Sequence, residues 1–113
     1  MNETITGLYK EPGKPLETRT VPNTLEALQG LVDGYIETVA VATDCVLICN
    51  EEGKLRNLPA NFYFCGELFV GPVFICSRDG GEFTSLTEGN AKRALFGLIA
   101  LAQLRPDGVW EGD

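Results

Sequence analysis

The stretch at residues 23–39, NTLEALQGLVDGYIETV, changes its hydrophobic period at Gly34, and that switch constrains the fold more than any other feature of the chain. Before it, Leu25, Leu28, Leu31 and Val32 recur at helical spacing. Asn23 is a suitable N-cap, Glu26 lies three residues on in a near-reciprocal capping position, and Gly34 is the expected left-handed terminator. After it, Tyr35, Glu37, Val39 and Val41 alternate with Ile36, Thr38, Ala40 and Ala42, the period of a strand. A helix of about ten residues therefore runs straight into a strand and acts as a crossover or buttress for it.

Ahead of this segment, TITGLYK and LETRTV flank EPGKP and read as a hairpin. In the second run Leu16, Thr18 and Thr20 share one face and Glu17, Arg19 and Val21 the other. DCVLICN is short, β-branched and apolar on both faces, as a central strand is. EEGK is a turn in which Gly53 is able to take positive φ, and LRNLPANFYF is expected to be a loop with some extended structure. ELFVGPVFICS is β-rich, but its Gly71-Pro72 pair predicts a bulge, an edge position or a break, and RDGGE is a further loop. A last helix is expected from Thr87 to Leu104, stopped ahead of Pro106 and followed by an acidic tail with the single tryptophan, Trp110. The expected fold class is α+β: a mainly antiparallel sheet of about four to six strands with two helices, one of them C-terminal. One domain is expected over residues 1–113, with a core at 1–105 and the tail at 106–113.

The last helix is unusual in its distribution of polar groups. Glu88, Asn90, Lys92 and Arg93 crowd its first turns, whereas residues 94–102 are apolar all the way round apart from Gly97. Two readings follow. Either the helix lies deep between sheet and tail, or it mediates a homodimer through Ala94, Phe96, Gly97, Leu98 and Leu101, where small residues permit close approach. The nearly apolar run at 94–104 is about half the roughly 20 residues of a membrane span, so no membrane association is expected. The N-terminus is acidic and polar where a signal peptide is basic and then apolar, which predicts a cytoplasmic protein.

The chain contains no histidine. Ser-His-Asp and Cys-His catalysis, imidazole proton relays and histidine-containing zinc sites are thereby excluded within one chain. The net charge of −7, with 16 acidic against 9 basic residues that are mostly scattered singly, argues against direct nucleic-acid binding. Cys45, Cys49, Cys65 and Cys76 contain no C-x-x-C pair and have no zinc-ribbon spacing, so buried thiols are expected and no metal or other cofactor is implied. Carboxylate chemistry would need Glu51 and Glu52 of one loop to meet Asp79 and Glu82 of another at one sheet edge. No phosphate-binding glycine motif is present. Phe62, Tyr63, Phe64, Phe69, Phe74 and Phe83 read mainly as core, with a ligand-stacking pocket formed by Asn57, Asn61, Phe62 and Phe64 as the sharper alternative.

With EPGKP, NTLEALQGLVDGYIE, VLICNEEGKLRNLPAN and EFTSLTE in this order, the chain resembles the family called domain of unknown function 3846 over roughly residues 5–88. The resemblance implies genomic company in phages, plasmids and bacterial genomes; it brings no mechanism and no catalytic residue. The resulting expectation is a non-catalytic mobile-element accessory protein that acts by binding a protein partner. A small-ligand binder or sponge of nucleotide type is the second reading, and an enzyme based on Glu51, Glu52 or Cys49 the third. If the apolar helix is an interface, Phe96→Lys or Leu98→Lys leaves a folded chain that is monomeric or deficient in partner binding. Loss of the cooperative thermal transition in these variants would place both residues in the core instead.

Overall fold

The computed structural model describes residues 3–64, 67–92 and 94. Eight strands and one complete helix are arranged as β1 (Thr4–Lys10), β2 (Glu17–Pro22), α1 (Leu25–Val32), β3 (Ile36–Ala42), β4 (Cys45–Asn50), β5 (Ala60–Phe64), β6 (Glu67–Val70), β7 (Val73–Asp79) and β8 (Glu82–Thr84). A second helix, α2, is described over residues 88–92 and at residue 94. The main sheet is six-stranded in the order β2-β1-β7-β4-β3, with β8 also on β7, and β5-β6 forms a separate two-stranded ribbon. Every pairing is antiparallel. The fold is therefore α+β, as the sequence predicts, with the ribbon as the element not foreseen.

Both faces of the sheet are covered, and this explains the apolar character of its middle strands. All six residues of β4 are buried. Its Val46 and Ile48 join Ile5, Tyr9, Phe74 and Cys76 under α1, which contributes Leu28 and Val32. On the opposite face Cys45, Leu47 and Cys49 pack with Val73, Ile75, Ala94 and the ribbon residues Phe62, Phe64 and Phe69. The structure thus has three layers: helix, sheet, and ribbon with the start of α2.

The helix α1 leaves one sheet edge, β2, and delivers the chain to the other, β3. The crossover expected from sequence is present, but its ends are set differently. Thr24 is the N-cap, its hydroxyl accepting from the Ala27 N–H at 3.1 Å. Asn23 is drawn away because its side-chain amide donates to Phe83 O at 3.0 Å. At the other end the left-handed residue is Asp33 (φ 61°, ψ 45°), not Gly34. Aspartate tolerates this conformation better than most residues, and Arg56 bonds the Asp33 carbonyl and pairs with its carboxylate. Leu25, expected on the apolar stripe, is 57% exposed, so the buried stripe is narrower than the spacing implies.

The other breaks follow backbone chemistry. Gly71-Pro72 separates β6 from β7, with Gly71 at φ 74°. Gly80 and Gly81, both at positive φ, form the two-residue turn between β7 and β8. In the turn at 51–57 the positive φ belongs to Asn57 (φ 56°) and not to Gly53. Gly53 is small for a different reason: a Cβ there would meet Val70 Cγ2 of the ribbon at 2.8 Å. The last helix begins as expected, the Thr87 hydroxyl accepting from the Asn90 N–H at 3.1 Å. Most of its apolar half, including Phe96, Gly97, Leu98 and Leu101, lies outside the described residues, as does the acidic tail.

One glycine is needed for the sheet itself. On one side of β7, residues Val73 to Ile75 pair with β1 while residues Ser77 to Asp79 pair with β8. β1 must therefore peel away near Gly7, where a Cβ would collide with the Ile75 carbonyl and meet Phe74 Cζ at 2.8 Å. Gly7→Ala is expected to lower stability by about 1–3 kcal/mol, the usual cost of overpacking. Gly30→Ala, where nothing lies within 4 Å of the added carbon, is expected to raise stability by up to about 1 kcal/mol through helix propensity. Urea midpoints of the two variants at unchanged slope check both signs.

Candidate functional site

The last residue of β4 organises one end of the sheet. Asn50 is 5% exposed, and its amide nitrogen donates to Val32 O and Asp33 O, each at 3.0 Å. These are carbonyls at the C-terminus of α1, which has few partners of its own there. The Asn50 Oδ1 accepts the Glu52 N–H at 2.7 Å, the self-bonding turn typical of asparagine. The Glu51 N–H donates to Tyr35 O at 2.8 Å, and Arg56 Nη1 to Asp33 O at 2.7 Å. The helix end, the start of β3 and the turn at 51–57 are consequently held as one piece. Two large apolar side chains stand on these tied loops, Tyr35 at 66% and Leu55 at 85% exposure.

Beside this corner lies a cleft of about 260 Å³ between the sheet and the ribbon. Its floor is formed by Val39 and Cys49, its end by the turn from Glu51 to Leu55, and its far wall by all of β6. Among the described residues Glu37, Glu51 and Glu67 line it together with one cation, Lys54. Burial pushes the Cys49 thiol up to about 11, with the carboxylates of Glu37 and Glu67 adding to the effect and Lys54 opposing it. Cys49 is thus a protonated, weakly nucleophilic thiol at neutral pH. Cys76 is held up to about 12, first by burial and then by Cys45. The three described cysteines are buried in the core, as their sequence context predicts.

The residues singled out for ligand binding occupy separate environments. Asn57 is an exposed turn residue in the left-handed region. Asn61 is 6% exposed and its amide is fully engaged: Nδ2 donates to Lys10 O at 2.9 Å and to Gly71 O at 2.8 Å, while Oδ1 accepts Lys10 Nζ at 2.9 Å. It anchors the ribbon to β1. Burial lowers the Lys10 pKa at this contact. Phe62 and Phe64, at 1% and 6% exposure, are core residues, and the Phe62 ring stacks at a tilt on Phe69 with centroids 5.7 Å apart. Ala94, placed in the dimer face from sequence, is fully buried in the sheet–ribbon core of its own chain.

The carboxylate constellation does not assemble. β4 and β7 are antiparallel neighbours with Cys45 opposite Ser77, so Asp79 and Glu82 lie at the end where β4 begins, whereas Glu51 and Glu52 follow the end where it finishes. Among the described residues there is no group of His, Cys, Asp or Glu suited to a metal ion. The residues that do converge, Glu37 and Glu67, are far apart in sequence and carry no local signal. Leu55 could have been noticed: it is an isolated large aliphatic in the polar turn EEGKLRN.

Fold and cleft together define an α+β protein in which an antiparallel sheet carries a helix on one face and a β-ribbon on the other. Residues 5–97 match the family described as domain of unknown function (DUF3846), and the chain belongs to that family. No curated protein and no solved structure matches it. Among the described residues no helix is long and apolar enough to cross a membrane.

The raised thiol pKa values give a pH dependence of known sign. A thiol that ionises near 9 when unfolded and near 11 in the fold adds stability that is fully present below pH 9 and is lost as pH rises through 11. The urea midpoint is therefore expected to fall between about pH 8 and about pH 11, and Cys49→Ala to make that fall shallower. An identical pH profile in the variant would remove Cys49 as a contributor.

Proposed function

We propose that this chain is a non-catalytic accessory protein of mobile genetic elements that works by binding a protein partner at the corner formed by Tyr35, Leu55 and the adjoining cleft. The observation that carries the reading is the exposure of two large apolar side chains on loops immobilised by Asn50 and Arg56. Single exposed apolar residues are ordinary, but two of them on a preorganised corner beside an open cleft have the character of interface anchors. A rigid loop loses little conformational freedom on docking.

The missing histidine and the protonated state of Cys49 support a role without catalysis. The mobile-element setting follows from the family resemblance, and the acidity of the chain supports a cytoplasmic role without direct contact to nucleic acid. Ala94 is engaged inside its own chain, so the cleft corner is a better-supported partner surface than the C-terminal helix.

Native mass spectrometry of the chain isolated gently from its own cells tests the reading. The expected result is a complex of fixed stoichiometry with a second protein, weakened about tenfold or more by Leu55→Asp. The thermal midpoint should stay unchanged, since Leu55 is 85% exposed. A reproducible small-molecule adduct in place of a protein, or a complex that survives both Leu55→Asp and Tyr35→Asp, would overturn it.

A further inference from the structure

Resting on the interaction reading above, we propose that the cleft receives an extended segment of the partner protein that carries lysine or arginine and pairs with the open edge of β6 as a third strand of the ribbon. Among the described residues β6 pairs with β5 alone. All four of its residues, Glu67 to Val70, line the cleft, so the whole length of the strand borders that space. An edge bordering a cleft in this way offers a row of N–H and C=O groups as a template for another strand. A two-stranded ribbon is also the smallest and least stable form of a sheet, and a third strand completes it.

The side-chain environment fixes the chemistry of the occupant. Val39, Cys49 and Phe69 give the cleft an apolar base, which accommodates the aliphatic stem of a long side chain. Among the described lining residues three carboxylates, Glu37, Glu51 and Glu67, stand with one ammonium, Lys54, leaving local negative charge for a cationic head. Glu37 and Glu67 come from opposite walls, and both lie near enough to Cys49 to act on its thiol. A cation seated between them is approached from two sides. The cleft volume, about 260 Å³, is below the range of about 300–1,000 Å³ typical of small-molecule sites. A strand lying across an open cleft with one side chain inserted suits that size better than an enclosed ligand does. Gly53 contributes too: its missing side chain lets the turn approach Val70 and close the end of the cleft.

The probe is a short peptide of alternating threonine and lysine, capped at both termini, compared with the same peptide carrying glutamate in place of lysine. Titrated into the isotope-labelled full chain, the lysine peptide is expected to bind at least about tenfold more tightly than the glutamate peptide, with a preference that weakens as salt is raised. It should slow amide exchange at residues Glu67 to Val70. The double variant Glu37→Lys, Glu67→Lys changes two exposed side chains, keeps its fold by circular dichroism, and should reverse the preference. Equal binding of both peptides, binding of neither, or exchange protection that bypasses β6 overturns the inference. Those outcomes are separable from the interaction reading: loss of the native complex in Leu55→Asp together with an indifferent peptide response would discard the strand-addition mode alone.

Discussion

Asn50 is the residue on which one whole end of the sheet depends. A helix that crosses a sheet from edge to edge must end somewhere over the far edge, and its last carbonyls then need donors that water cannot easily supply. Asn50 supplies two of them from the last position of the buried strand β4 while its oxygen starts the following turn. One buried amide thus sets the end of α1, the entry to β3 and the direction of the turn at 51–57. Gly34 has to be a glycine for the same reason, since a Cβ there would meet the Asn50 amide nitrogen at 2.6 Å. The exposed corner with Tyr35 and Leu55 is rigid because its support is buried.

The second constraint is that the sheet is covered on both faces by elements of unequal strength. On one side a helix gives Leu28 and Val32 to a core that includes Phe74 and Ile48. On the other, a ribbon too small to stand alone packs Phe62, Phe64 and Phe69 against Leu47 and Ile75. The ribbon is retained by aromatic burial and by Asn61, which ties it to Lys10 and Gly71. Because the ribbon covers only part of the face, a cleft is left where β6 stands away from β3. The partial cover therefore generates the site, and no cavity had to be carved from the core.

Much of this architecture was legible in local pattern. The change of period at Gly34, the two-sided apolar run of β4, and the break at Gly71-Pro72 each reflect constraints contained in a few neighbouring residues. The misread details were those decided from far away in the sequence. Asn23 is a good N-cap in isolation, but Phe83 O claims its amide and the cap passes to Thr24. Gly34 is a good left-handed terminator in isolation, but Arg56 makes Asp33 the residue that turns. Asn57 takes the positive φ in this turn, and Gly53 is needed instead for the close approach of Val70. The site was least legible of all: Glu37 and Glu67 meet only through the packing of ribbon on sheet, and the four carboxylates that looked like a set are separated by the antiparallel order of β4 and β7.

The proposed role in recognition is compatible with the chemistry of the cleft. A nucleophilic thiol needs positive surroundings to lower its pKa, and Cys49 has burial and two carboxylates acting the other way. Glu37, Glu51 and Glu67 line the same cleft as Lys54. In the proposed strand addition, charge around the edge of β6 would select the sign of the incoming segment while the backbone supplied most of the hydrogen bonds. On the proposed reading, the tied corner, the edge of β6 that is unpaired among the described residues and the carboxylates of the cleft together supply the specificity.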